Sequence, residues 1–253
     1  MNYMPGLEEK LIADTAAFVQ SELQDAEAGH DWWHIQRVWT NTRLLLQAEA
    51  ERRAQNPDTD RDSDRSTPDP LVCELAALLH DIADSKFHDG DEEVGPRIAA
   101  EFLKAKGVAE HTRTHVENII RHLSFHRSIG REESLRFRSP ELDIVQDADR
   151  LDALGAVGIA RAFHYGGYKN RLLYDPEIPP VTDQSRESYQ NSQAPTINHF
   201  YEKLLLLKDR MNTAAARKIA EERHAFMEQY LDQFYKEWHG SLEAHQKQHL
   251  THQ

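Results

Sequence analysis

Three segments place histidine with aspartate, or paired aspartates, where the surrounding residues are apolar or aromatic. The first is Gly29-His30-Asp31-Trp32-Trp33-His34, running on to Arg37 and Val38. The second is His80-Asp81, which closes a run containing Leu71, Val72, Leu75, Leu78 and Leu79. The third is Asp147-Ala148-Asp149-Arg150, inside an apolar stretch from Leu142 to Ile159. Burying such groups is costly unless they are paired or coordinate a metal. Neutral imidazoles and carboxylates make a nitrogen and oxygen donor set suited to divalent manganese, iron, cobalt, nickel or zinc. A set of His34, His80, Asp81 and one later aspartate leaves positions open on a five- or six-coordinate ion, where water and substrate oxygens bind. Asp84 stands four residues after His80 and three after Asp81. On a helix it shares their face, which suits a carboxylate that orients or deprotonates an attacking water.

The elements that must hold these groups are helices. In 6–23, Ile12, Ala16, Val19 and Leu23 recur at helical spacing, and Ile35, Val38, Leu45 and Leu46 do the same in 33–50. The segment 71–83 is apolar on nearly every face, which belongs at the centre of a fold. Amphipathic stretches follow at 95–106, 110–122 and 141–163, and 199–210 and 213–238 form a closing pair. The charged, proline-containing segment 51–70 is expected to be a polar insertion loop, and 166–195, with Gly166-Gly167 and Pro179-Pro180, a long surface loop. Strand patterns are nearly absent. The expectation is an all-α, single-domain helical bundle over 1–240, followed by a polar tail at 241–253.

Composition bounds the chemistry. The chain has 253 residues, 30 basic and 43 acidic, for a formal charge of −13. Nucleic-acid footprints are basic, so a polymer of phosphates is not the expected partner. A small phosphorylated molecule remains compatible, because a metal ion supplies local positive charge. One cysteine, Cys73, excludes a disulfide framework and thiolate clusters. No run approaches a membrane span, and 1–12 lacks the basic and apolar regions of a signal peptide, so a cytoplasmic location is expected. Homo-oligomerisation is left open.

The ordered set His34, His80-Asp81 and Asp149 resembles the HD superfamily of metal-dependent phosphohydrolases. The flanking residues extend the likeness: Gly29 to Val38, Ala76 to Phe87, and Asp147 to Ala156 resemble small stand-alone bacterial HD hydrolases, some of which release pyrophosphate from nucleoside triphosphates. The segments Ile197 to Leu204 and Thr213 to Arg217 resemble that group too, so the likeness covers most of 6–238. The resemblance implies that His34 rather than His30 is the first ligand, since the family histidine stands three positions before an arginine, here Arg37. It implies His80 and Asp81 as the pair and Asp149 rather than Asp147 as the last ligand. It also implies a catalytic carboxylate at Asp84 and one divalent ion, manganese first, with magnesium, iron, cobalt, nickel or zinc as alternatives.

Other residues are candidates around that set. His115, His122 and His126 can share a helical face, and the resemblance puts a histidine from this region, here His122, near the phosphate. Lys86 and Arg150 adjoin ligands in sequence and suit phosphate oxygens. Asp31 suits an N-cap, His30 a residue that orients His34, and Trp32 and Trp33 either core packing or base stacking. The expected function is phosphohydrolysis of a small phosphorylated molecule, a nucleotide first. With a nucleoside triphosphate, attack at the α-phosphorus would give monophosphate and pyrophosphate, and these motifs leave attack at the γ-phosphorus and a monophosphate substrate open. The alternatives are a non-catalytic nucleotide or metal sensor and a di-iron oxygenase.

Overall fold

Helices account for every regular element among the residues that the structure, a computed structural model, describes: 5–24, 31–55, 67–83, 91, 93–123, 137–181 and 194–240. They are α1 (Pro5–Glu22), α2 (Trp32–Gln55), α3 (Pro70–Leu79), α4 (Val94–Ala105), α5 (Glu110–Leu123), α6 (Pro140–Asp152), α7 (Gly155–Tyr168), α8 (Thr196–Glu202) and α9 (Ala214–His239). Two 3-10 turns, Leu204–Leu206 and Lys208–Arg210, join α8 to α9.

The most apolar helix sits innermost. Asp69 caps α3 by accepting from the amides of Leu71 (2.9 Å) and Val72 (3.4 Å), and Pro70 fills the first position, where no amide partner is needed. Val72, Cys73, Leu75, Ala76, Ala77, Leu78 and Leu79 are all buried, and α3 packs against α1, α2, α5 and α6. Its start is tied to α6, because Glu141 Oε1 accepts from the Asp69 amide at 2.9 Å. Ser139 caps α6 and Thr213 caps α9 in the same way. One hydrophobic cluster runs from Val19 on α1 to Tyr235 on α9. Burial and caps therefore fix the ends of the helices that carry the chemistry.

Several boundaries differ from the sequence expectation. The apolar stretch 141–163 is two helices, broken where Leu154 is extended (φ −113, ψ 159) and Gly155 takes φ +71. A side chain at Gly158 would meet the Ala153 carbonyl at 2.2 Å, so the turn needs glycine there as well. The polar segment 51–70 begins as helix, because α2 runs on to Gln55, with Arg52 bound to Glu49 and Arg53 to Thr67. Likewise α7 continues through Gly166 and Gly167 to Tyr168; a Cβ at Gly166 would lie 2.2 Å from Thr196 Oγ1, so the glycine lets α7 lie against α8. The segment 199–210 leaves helical geometry at Lys203 (φ −143, ψ −57). Finally, α3 ends at Leu79, and His80 to Ile82 form a turn.

Candidate metal centre

His34 lies in the first turn of α2, which Asp31 caps by accepting from the His34 amide at 3.0 Å. That cap fixes where the helix begins and points a histidine inward. The ring is buried at 3% exposure. Its Nδ1–H donates to Asp152 Oδ2 at 2.8 Å, since a carboxylate only accepts, so the ring's lone pair is on Nε2. Asp149 Oδ1 lies 3.6 Å from that Nε2.

His80 is placed by the end of α3. Its Nδ1–H donates to the Ala77 carbonyl at 2.8 Å, using one of the carbonyls that a helix end leaves without an intrahelical partner. Nε2 is again the nitrogen left for a ligand. The two rings stand 5.3 Å apart, edge to face at 74°. His34, His80 and Asp81 each offer one donor atom, and these atoms all lie within 4.8 Å of one another. Three segments distant in sequence thus converge: the start of α2, the end of α3 and the last turns of α6.

The electrostatics favour coordination. Burial pushes the His34 imidazole below its ordinary range, against the opposing effects of Asp152 and Asp149, so the ring stays neutral as a ligand must. Burial works to raise the Asp152 carboxyl, but the hydrogen bonds from His34 and Arg37 and the charge of Arg161 hold it well below the usual range. Arg37 donates to both Asp152 oxygens (2.6 and 3.1 Å), and Arg161 Nη1 donates to Oδ2 at 2.6 Å. His34, His80 and Asp81 offer an oxygen and nitrogen set of the kind that fits a divalent ion, and Asp149 lies beside His34.

The other candidates fall as follows. Asp147 is fully buried and accepts from the amides of Asn212 and Thr213, the Asn212 side chain and the Thr213 hydroxyl, so its carboxylate holds the entry to α9. Arg150, expected beside phosphate, donates instead to the Arg210 carbonyl and lies 3.6 Å from Asp147; these contacts tie it to the same junction. His122 donates from Nδ1 to the Asn118 carbonyl at 2.8 Å and packs on Phe137, while His115 lies 3.1 Å from Ser139 and 3.3 Å from Glu141. Trp32 packs on the core and Trp33 is exposed. Asp84, Lys86, His30 and His126 lie outside the described residues. The helix on which the spacing from His80 was counted, α3, ends at Leu79.

Sequence reasoning passed over Asp152 and ranked Lys203 below Lys86 and Arg150 as a group for phosphate. Asp152 is three residues after Asp149, so the two share a helical face, and that spacing was the available signal. Lys203 has its ammonium held below the ordinary range by burial, against the attraction of Asp149 and with the repulsion of Arg161 and Arg210, which puts a cation in the neighbourhood of Asp149.

The sequence profile of the HD domain matches residues 33–154, an interval that begins beside His34 and ends just past Asp152. YpgQ of Bacillus subtilis (strain 168) is 37% identical to this chain over 235 residues, covering 92% of this chain and 96% of YpgQ. The crystal structure of an HD-superfamily hydrolase from Bacillus thuringiensis matches with a TM-score of 0.68 at 40% identity, over 92% of this chain and 100% of that one. The crystal structure of Bacillus subtilis YpgQ in complex with ADP matches with a TM-score of 0.66 at 34% identity, over 91% of this chain and 96% of that one.

Proposed function

The chain belongs to the HD-domain family, and we propose that it is a metal-dependent phosphohydrolase whose substrate is a nucleotide. The observation that carries this reading is the convergence of donor atoms from His34, His80 and Asp81 within 4.8 Å, with Asp149 beside His34. These four residues would hold one divalent ion, manganese in the first instance. Such an ion supplies a Lewis acid that acidifies water and polarises a phosphoryl oxygen.

The chain's own groups do the rest. His34 and His80 are held through Nδ1 by Asp152 and the Ala77 carbonyl, so Nε2 of each ring is the atom that would hold the ion. Asp84 orients the attacking water and receives its proton. Lys203 and Lys86 neutralise charge that develops on the phosphate oxygens, and His122 contributes from α5. We assign Arg150 to the junction of α6 and α9 rather than to phosphate. The nucleotide reading is supported by the YpgQ structure, which is described as a complex with ADP. With a nucleoside triphosphate, attack at the α-phosphorus yields monophosphate and pyrophosphate.

A panel of nucleoside mono-, di- and triphosphates incubated with Mn, Mg, Co or Ni, with phosphate and pyrophosphate assayed separately, tests the reading. Pyrophosphate release from triphosphates is the expected result. Nucleotide binding without any product would favour a sensor, and oxygen consumption with two irons bound would favour an oxygenase.

A further inference from the structure

Asp152 carries more partners than a simple ion pair requires. Its carboxylate is 2% exposed and receives His34 from α2 at 2.8 Å, Arg37 from α2 at 2.6 and 3.1 Å, and Arg161 from α7 at 2.6 Å, while Asp152 itself ends α6. Three helices therefore meet on one carboxylate, and the neutral partner among them is the imidazole that faces Asp149. Oδ2 takes the proton of His34 Nδ1 together with one nitrogen from each arginine. A ring held this way has a fixed tautomer and a fixed direction for Nε2, and a carboxylate behind an imidazole makes it a better donor to a metal.

We propose that Asp152 is a positioning residue of the metal centre, acting through His34, with Arg37 and Arg161 clamping the carboxylate so that α2, α6 and α7 set the ligand's aim. The inference rests on the reading of His34 as a ligand. It makes the turn at Leu154–Gly155 part of the site's construction, because that turn brings Arg161 back onto Asp152 nine residues earlier.

Two measurements test it. In metal-free wild-type protein, nitrogen-15 correlation spectra of the histidine rings should show His34 protonated at Nδ1; protonation at Nε2 would overturn the proposal. Manganese affinity, measured by titration calorimetry, should fall about 10- to 100-fold in Asp152→Ala with helicity retained. Asp152→Asn should recover much of that loss, since an amide oxygen at the Oδ2 position still accepts from His34. A role confined to charge pairing with the arginines predicts no such recovery, because the amide carries no charge. An Asp152→Ala protein that is folded and binds manganese as tightly as wild type would also overturn the proposal. Should the alanine variant not fold, the wild-type tautomer and the asparagine variant decide. Wild-type protein that binds no metal would sink the metal-site reading itself, whereas tight wild-type binding unchanged in Asp152→Ala rejects only the role of Asp152.

Discussion

His34 and His80 each bind the protein through Nδ1, one to a carboxylate and the other to a backbone carbonyl, so in the proposed centre Nε2 is the ligating atom of both. That division explains why Asp81 is the sharper residue to remove, since its loss deletes a donor without releasing either ring. Asp81→Ala should weaken manganese binding by more than about 100-fold, beyond the range seen when only a supporting residue is lost. Phosphohydrolase turnover should vanish while circular dichroism stays helical. A second residue-scale prediction concerns pH. Burial, with Lys203 and Arg171 adding to it, pushes the His199 imidazole down to about 3. The unfolded chain takes up that proton near 6.5, whereas the folded chain does so only near 3, so the contribution of His199 to stability is lost as pH falls through this window. Urea midpoints of metal-free protein should drop between pH 6.5 and pH 4, and His199→Gln should flatten the drop. His34, His80 and Asp81 were legible in the sequence because polar pairs in apolar helices demand an explanation. Asp152 was not, because its role depends on a partner 118 residues away.

At the scale of the elements, the helix caps and the breaks between helices do the positioning. Gly155 adopts φ +71, and a Cβ there would stand 3.1 Å from Arg223 Cγ. Gly155→Ala should therefore cost about 1–3 kcal/mol in denaturant unfolding, and by shifting α7 it should also weaken manganese binding. Asp69→Ala removes the cap of α3 and should cost about 1 kcal/mol, read in the same experiment. Periodicity located each major helix but not its limits. The break at Leu154–Gly155 was invisible because apolar spacing continues across it, although a lone glycine marked the place. Gly166 and Gly167 suggested a loop, but the close approach of Thr196 makes small size, rather than flexibility, the reason for glycine at 166. Lys203 ends α8 at a residue with good helix propensity, so tertiary contacts override local preference there.

For the whole molecule, the charge of −13 takes on a local meaning. Asp81, Asp149 and Asp152 lie in a neighbourhood that also holds Arg37, Arg161 and Lys203, so the centre is mixed in sign before any ion binds. Among the described residues no helix is long and apolar enough to cross a membrane. Because the proposed donors come from α2, the end of α3 and α6, an ion held by them would join elements distant in sequence and should stabilise the fold. Free manganese at 100 times its dissociation constant should add about 2.7 kcal/mol, seen as a raised melting temperature that Asp81→Ala abolishes. The most direct measurement of the central claim is phosphorus-31 NMR of a nucleoside triphosphate incubated with manganese and either wild-type protein or Asp81→Ala. Wild-type protein should convert the triphosphate to monophosphate and pyrophosphate while Asp81→Ala leaves it intact. Equal turnover by the two proteins, or none by the manganese-loaded wild type, would contradict the account.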